Sequence, residues 1–266
     1  MNRNLVLLVM SSSLFLKLRI FLRAIKILKN WQLYPRMYFH RINDNYAIFE
    51  TKTGVKIKLR VDSSDFMAFT NVWLVEDYYR PKFEIKSDDT IIDIGSHIGL
   101  FALYASQFCT RGTIFCFEPV KENYDLLQEN LKLNNIKNVI AFNLAVSGVS
   151  SFVSLFLNDD KSAHSIHTTS PNEIKVESRS LKDIIDENEI KICNFVKIDC
   201  EGAEYEILGR LPQNYFSKIE KMVIEYHLAD YKPELLSDLL GKLMTSFDVT
   251  KKEFYDGMGI LFALKK

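Results

Sequence analysis

The stretch Asp88–Gly99, DDTIIDIGSHIG, constrains this chain more than any other. Thr90–Ile94 is a short β-branched run with Asp93 near its end, and Gly95 and Gly99 follow at a turn. Glycine permits the tight turn and the close backbone approach that a bound ligand needs. The segment Leu100–Ala105 then reads as the start of a helix. Strand, acid, glycine turn and helix in this order describe a nucleotide-cofactor loop, although the full G-x-G-x-x-G spacing is absent. A dinucleotide pyrophosphate needs that glycine-lined turn and the helix N-terminus behind it. S-adenosylmethionine (AdoMet) carries an amine and a carboxylate instead of a phosphate, so an acid beside a shorter glycine turn suits it better. Two structural glycines in an ordinary strand–turn–helix are the plainer alternative.

A second apolar run, Thr113–Phe117, ends in Glu118-Pro119. Glu118 falls roughly 20–25 residues beyond the glycine turn, where an acid binds ribose hydroxyls in nucleotide-binding β-α-β units. A carboxylate accepts from both vicinal hydroxyls. Pro119 suits the first turn of a following helix, and a simple cap of that helix is the plainer reading of Glu118; the two features together favour nucleotide binding.

Four segments then match one family in order: IIDIGSHIGLFALYAS, FCFEPVKENYDLLQENLKLNN, NLAVSG and FVKIDCEGAEYEIL. Together they resemble the FkbM family of AdoMet-dependent methyltransferases, over about residues 60–230. The family usually has small residues or Asn where this chain has Ser96-His97, a difference confined to the contacts of the turn. The resemblance implies an α/β fold: a doubly wound, mostly parallel seven-stranded sheet of the Rossmann-like class I methyltransferase type.

The chain's own punctuation fits such a fold. From Thr90 onward, strands near 90–94, 113–117, 139–144, 195–199 and 219–226 alternate with helices near 99–108, 120–134, 181–187, 203–210 and 233–245. That alternation implies parallel βαβ units with helices on both faces. Ser151–Leu157 and Glu173–Glu177 look like extra strands in an insertion, and Val249–Phe254 with Gly259–Leu264 form a closing antiparallel pair. Upstream, Tyr46–Glu50 and Val55–Leu59 flank a glycine-containing loop as a hairpin, and Asp65–Tyr79 reads as a helix. We divide the chain into an N-terminal extension, 1–60, with a basic amphipathic helix and the hairpin, and a methyltransferase domain, 61–266.

Ligands on such sheets sit beyond the C-terminal strand ends, at the switch in strand order. By resemblance, Asp93, Gly95, Ser96, His97 and Gly99 form the cofactor turn, and Glu118 takes the ribose hydroxyls. Ala145 leaves room for adenine, while Asn143 is either a cofactor contact or a strand-end cap. Asp199 ends the fourth strand, where a carboxylate faces the sulphonium or the acceptor. Glu201 either joins it or complements the dipole of the next helix. A base that removes the acceptor's proton contributes about 10²–10⁴-fold. His227 is one candidate and His97 another, while His164 and His167 lie in the polar stretch Asp159–Pro171, a candidate substrate lid. The catalytic set is therefore Asp199, Glu201 and His227. Asp199, Glu201, Glu225 and His227 follow no recognised metal-ligand spacing, and no metal is expected. Lys197 reads as an ion-pair partner.

A hydrophobic content of 47% and a charged content of 26% are those of an ordinary folded domain. The net charge of +0 argues against a nucleic-acid surface. Cys109, Cys116, Cys193 and Cys200 lack C-x-x-C spacing, as expected of reduced thiols in a cytosolic protein without a zinc site. A nucleophilic Cys200 is the weaker alternative. Residues 1–43 carry eight cations, Arg3, Lys17, Arg19, Arg23, Lys26, Lys29, Arg36 and Arg41, and no acid. The run Leu5–Leu16 is shorter than the ~20 apolar residues of a membrane span. Phe15, Leu18, Phe21, Leu22, Ile25 and Leu28 recur at helical spacing among cations. That helix either docks on the catalytic domain or a partner, or lies on an anionic membrane through residues 5–30.

The expectation is an AdoMet-dependent O-methyltransferase acting on a small-molecule or glycan hydroxyl, cytoplasmic or peripheral at the membrane's inner face. A non-catalytic AdoMet-fold partner subunit and an NAD-dependent oxidoreductase are the alternatives. The sequence leaves the oligomeric state open.

Overall fold

The computed structural model describes residues 14–156, 173–255 and 257–266. Thr90–Ile94 forms β3, and its side chains are buried on both faces, as a central parallel strand requires. Around it stand β4 (Thr113–Phe117), β5 (Val139–Phe142), β9 (Phe195–Ile198), β10 (Lys221–Tyr226), β11 (Phe247–Tyr255) and β12 (Met258–Lys265). The seven strands run in the order β11-β12-β10-β9-β3-β4-β5. The pairs β10–β9, β9–β3, β3–β4 and β4–β5 are parallel, and β12 is antiparallel to both of its neighbours. From β3 the chain winds outward to β5, then returns to β9 on the other side of β3. The switch in strand order lies between β3 and β9, as the sequence alternation implied.

The crossovers use α4 (Leu100–Ser106), α5 (Lys121–Leu133), α6 (Leu181–Glu187), α7 (Glu204–Arg210) and α8 (Pro233–Leu243). Their starts follow local chemistry. The Ser180 hydroxyl accepts from the Asp183 N–H at 3.0 Å to cap α6, and Pro233 opens α8 where no N–H is needed. Between β5 and α6 the chain builds a separate small sheet from β6 (Ala145–Ser147), β7 (Ser151–Phe156) and β8 (Glu173–Ser180), in the order β6-β8-β7. The insertion strands were legible, but the expected 139–144 strand ends at Phe142, because Ala145–Ser147 pairs with Ser178–Ser180 instead. The lid candidates His164 and His167 lie outside the described residues.

Upstream, α1 (Leu14–Ile27) and α2 (Leu33–Tyr38) precede the hairpin β1 (Tyr46–Glu50) and β2 (Lys56–Arg60). The helix expected over Asp65–Tyr79 is shorter. It runs as α3 (Asp65–Phe69), widens into a π-helical segment (Thr70–Val75) and stops where Glu76 takes a left-handed φ of 57°. That break carries Tyr78 back over the sheet. The hairpin docks on α5 through paired amide bonds: Asn130 receives the Lys58 N–H at 2.8 Å, and Asn134 receives the Lys56 N–H at 2.7 Å. Ile20, Ala24 and Leu28 of the first helix region, Phe49 and Leu59 of the hairpin, and Ile91, Phe101 and Phe195 of the sheet layer belong to one continuous core. Residues 14–60 thus share their packing with the part of the chain that follows. Among the described residues no helix is long and apolar enough to cross a membrane.

Candidate active site

A cavity of about 710 Å³ opens beyond the C-terminal ends of β3, β4, β9 and β10. Its floor is the turn after β3. The Gly95 and Ser96 N–H groups both donate to the Phe117 carbonyl, at 3.0 and 3.1 Å, and Phe117 N–H donates to the Ser96 hydroxyl at 3.0 Å. The turn is therefore laced to β4. Gly95 has a φ of +73°, and a Cβ there would stand 1.8 Å from the Asp199 carbonyl oxygen, so this position admits only glycine.

Asp93 is fully buried beneath the turn and does not line the cavity. Register places it opposite Lys197, whose ammonium lies 3.2 Å from the Asp93 carboxylate and 3.7 Å from that of Asp199. Lys197 also donates to the Gly95 carbonyl at 2.7 Å. Burial raises the Asp93 pKa, and Lys197 opposes that rise. Lys197 thus ties the end of β9 to the glycine turn on β3.

Glu118 lines the cavity although only 5% of its surface is exposed. Its Oε2 accepts from the His97 N–H at 2.8 Å, and its Oε1 from the Val120 N–H at 3.0 Å and the Asn123 amide at 3.3 Å. A carboxylate offers about four lone-pair sites, so Oε2 retains capacity for a ligand hydroxyl. Burial raises the Glu118 pKa, against the His97 charge and these donors. His97 occupies a left-handed φ of 50° and turns its ring away from the cofactor turn toward Asp65, 3.2 Å distant. Asp65 is completely buried and is gripped by the Arg60 guanidinium at 2.9 and 2.8 Å. Burial alone would raise its pKa, but His97 and Arg60 outweigh burial and hold the carboxyl well below the usual range. Arg60 donates onward to Asn123 at 2.7 Å. Arg60, Asp65, His97 and Asn123 thereby brace Glu118 from the N-terminal side.

The opposite wall is acidic. The Tyr78 hydroxyl lies 3.0 Å from Asp199 Oδ2 and 3.2 Å from Glu225 Oε2, so its single proton is shared between two carboxylates. Burial and these two charges raise the tyrosine pKa far above its ordinary value, and it stays a donor. Burial first, and then the Asp199 charge, push Glu225 up to about 8. Glu201, at a left-handed φ of 51°, also lines the cavity. His227 sits behind this wall and outside the cavity lining. Glu204 accepts from the His227 N–H at 2.8 Å and lies 3.3 Å from Nδ1, while Nε2 is 3.9 Å from Glu201 and 3.8 Å from Glu225. Burial would lower the His227 pKa, yet Glu204 and Glu201 outweigh it and raise it well above 6.5. His227 thus stands behind the cavity wall, held against Glu204, with Glu201 and Glu225 beyond its Nε2.

Donor atoms of Asp199, Glu225 and His227 lie within 4.8 Å of one another. The Lys197 ammonium lies 3.7 Å from the Asp199 carboxylate beside them. Cys200 lines the cavity, and burial and Glu204 push its thiol pKa well up, which disfavours the nucleophilic thiolate.

Of the residues singled out in the sequence, Gly95, Ser96, His97, Glu118, Ala145, Asp199 and Glu201 line the cavity. Gly99, Asn143, Asp93 and His227 support it from behind. The Asn143 amide donates to the Glu118 and Pro119 carbonyls, both at 3.0 Å, and serves as the strand-end cap. The sequence pattern did not single out Tyr78, Arg60, Asp65 or Glu204. Tyr78 and Asp65 reach the site only through tertiary packing. For Glu204 a local signal existed: it stands at the start of α7, and its carboxylate accepts from the Gly202 N–H at 2.8 Å.

The family described as Methyltransferase FkbM domain matches residues 93–249, more than half of the chain. "Methyltransferase 1" of Beauveria bassiana is 27% identical over 160 residues, covering 52% of this chain and 64% of that protein. The "Hexuronic acid methyltransferase AglP" of Haloferax volcanii is 29% identical over 169 residues, covering 63% and 68%. Among solved structures, the FkbM methyltransferase from Methylobacillus flagellatus aligns at a TM-score of 0.48 and 16% identity, over 74% of this chain and 53% of that one. The chain therefore spans a little under two thirds of the fungal relative's length and about half of the solved chain's.

Proposed function

Because the chain belongs to the FkbM methyltransferase family, we propose that it moves a methyl group from AdoMet to a hydroxyl of a sugar or related acceptor. The observation that carries this proposal is the polarity of one cavity. A braced carboxylate, Glu118, stands at one end, and a proton-sharing group, Asp199–Tyr78–Glu225, stands at the other. A volume of about 710 Å³ suits a nucleoside cofactor with an acceptor beside it.

The donor set fits AdoMet. Glu118 would hold the ribose hydroxyls, the backbone around Gly95 and Ser96 would meet the amino-acid end, and Ala145 with Val146, also in the cavity lining, would wall the adenine. When bound, AdoMet supplies a methyl group already activated on a sulphonium, so the protein's task is alignment and proton removal. Alignment contributes several kcal/mol, up to roughly 7–11. Glu225 takes the proton from the acceptor hydroxyl; a carboxyl raised to about 8 is a far stronger base than an ordinary glutamate and is matched to neutral pH. Tyr78 donates to the carboxylates and fixes their orientation. Glu201 borders the acceptor space.

The halophilic relative named for hexuronic acid methylation supports a sugar acceptor for this chain as well. Incubation with methyl-labelled AdoMet and a panel of uronic acids, neutral glycosides and lipid-linked glycans tests the proposal. Label in a base-stable methyl ether on the sugar is the expected product. Binding of AdoMet without turnover on any glycan would favour the non-catalytic partner subunit instead.

A further inference from the structure

The inward side of α1 is accounted for by the core, where Ile20 and Ala24 are buried and Arg23 is ion-paired with Glu76. Its outward side is not. Phe15, Leu18 and Leu22 are 76%, 53% and 56% exposed, and they fall on one stripe of the helix. Arg19 and Lys26, also exposed, border that stripe along one edge. Leu16, Arg19 and Ile20 of the same helix line the active-site cavity, so the apolar stripe lies next to the cavity's mouth.

We propose that this outward face of α1 docks on an anionic membrane surface and turns the cavity mouth toward acceptors held there. Three large apolar side chains edged by cations, on a helix too short to span, are the composition of an in-plane interfacial helix. The charge argument selects the lipid over a second copy of the chain. Residues 1–43 hold eight cations and no acid, so a symmetric contact through α1 would set like charges against each other. An anionic headgroup layer complements both the stripe's edge and Arg19 at the mouth. The second half of the proposal rests on the methyltransferase assignment; membrane docking itself does not.

Co-sedimentation of the full chain with phosphatidylcholine vesicles, with and without phosphatidylglycerol, tests this without cofactor or acceptor. The chain should partition onto the anionic vesicles and be released by salt. Lys26→Gln should weaken partitioning by roughly fivefold, the scale of a single cation at such a surface. The double variant Leu18→Asp/Leu22→Asp should abolish it while leaving the circular dichroism spectrum and AdoMet titration unchanged, since both side chains point outward. Equal partitioning of parent and double variant, or no anionic preference, overturns the proposal. So does a parent dimer that ignores vesicles and dissociates in the double variant, which would assign the stripe to self-association. Failure here leaves AdoMet binding untouched, and failure of AdoMet binding leaves vesicle docking untouched, so the two are separable.

Discussion

Glu225 stands in surroundings far from those of an ordinary surface carboxyl. Burial and Asp199 raise its pKa to about 8, and Tyr78 is in reach of its carboxylate. As the acceptor's base it must be ionised, so kcat/KM should rise with pH and level off above about 8. Glu225→Gln should lower kcat by about 10²-fold or more and flatten that rise. Stability should move the other way. A carboxyl whose folded pKa lies above its unfolded value favours the fold below the unfolded pKa, and its contribution is lost as pH climbs from about 4.5 to about 8. The melting temperature of Glu225→Gln should therefore gain on the parent across that window; a constant difference would contradict the raised pKa. Glycines offer a second contrast. Gly95→Ala should cost at least about 3 kcal/mol in urea unfolding, from left-handed strain plus a clash with the Asp199 carbonyl. Gly241→Ala, in α8 with nothing within 4 Å of its added Cβ, should gain about 0.5–1 kcal/mol.

At the scale of elements, the strands and glycine turn were readable because their signals are local. Thr90–Ile94 is β-branched throughout except at Asp93, and Gly95 marks the turn. Glu118, a buried carboxylate in the cavity lining, was readable as a site candidate from its distance along one β-α-β unit. What supports it was not. Asp65 looked like part of a long helix, yet it closes a buried network with Arg60 and His97 that holds the His97 N–H against Glu118. No periodicity encodes that, because the partners come from β2, α3 and the turn after β3. The same holds for Tyr78, which a break at Glu76 delivers to the acidic wall. The surroundings of His227 are a similar case: its spacing from Glu225 was legible, but Glu204, which holds it, stands on another element. Asp65→Ala should cost about 3–5 kcal/mol, since it leaves Arg60 buried without its partner. It should also weaken AdoMet binding, whereas an exposed ion pair such as Lys58–Glu129 can be broken for no more than about 1 kcal/mol. Binding unchanged by Asp65→Ala would show that the network does not position Glu118.

At the scale of the molecule, the described part of the N-terminal extension, residues 14–60, belongs to the core of the fold rather than forming an appendage. Leu28, Phe49, Ile57 and Leu59 are completely buried against the helices that cover one face of the sheet. Removing them would expose a large apolar surface, at roughly 25 cal/mol per Å². Residues 61–266 expressed alone should lack a cooperative unfolding transition, in contrast to the full chain; a sharp two-state melt from the fragment would contradict the shared core. The arrangement also places α1 beside the cavity, with Leu16, Arg19 and Ile20 in its lining.

The central claim, an AdoMet methyltransferase built around Glu118, is tested most directly by calorimetric titration of the full chain and its Glu118→Gln variant with AdoMet. The parent should bind stoichiometrically, and the variant should bind about 10- to 100-fold more weakly, the scale of a charged acceptor's hydrogen bonds to a diol. A folded parent that does not bind AdoMet, or a variant that binds as well as the parent, would contradict the account.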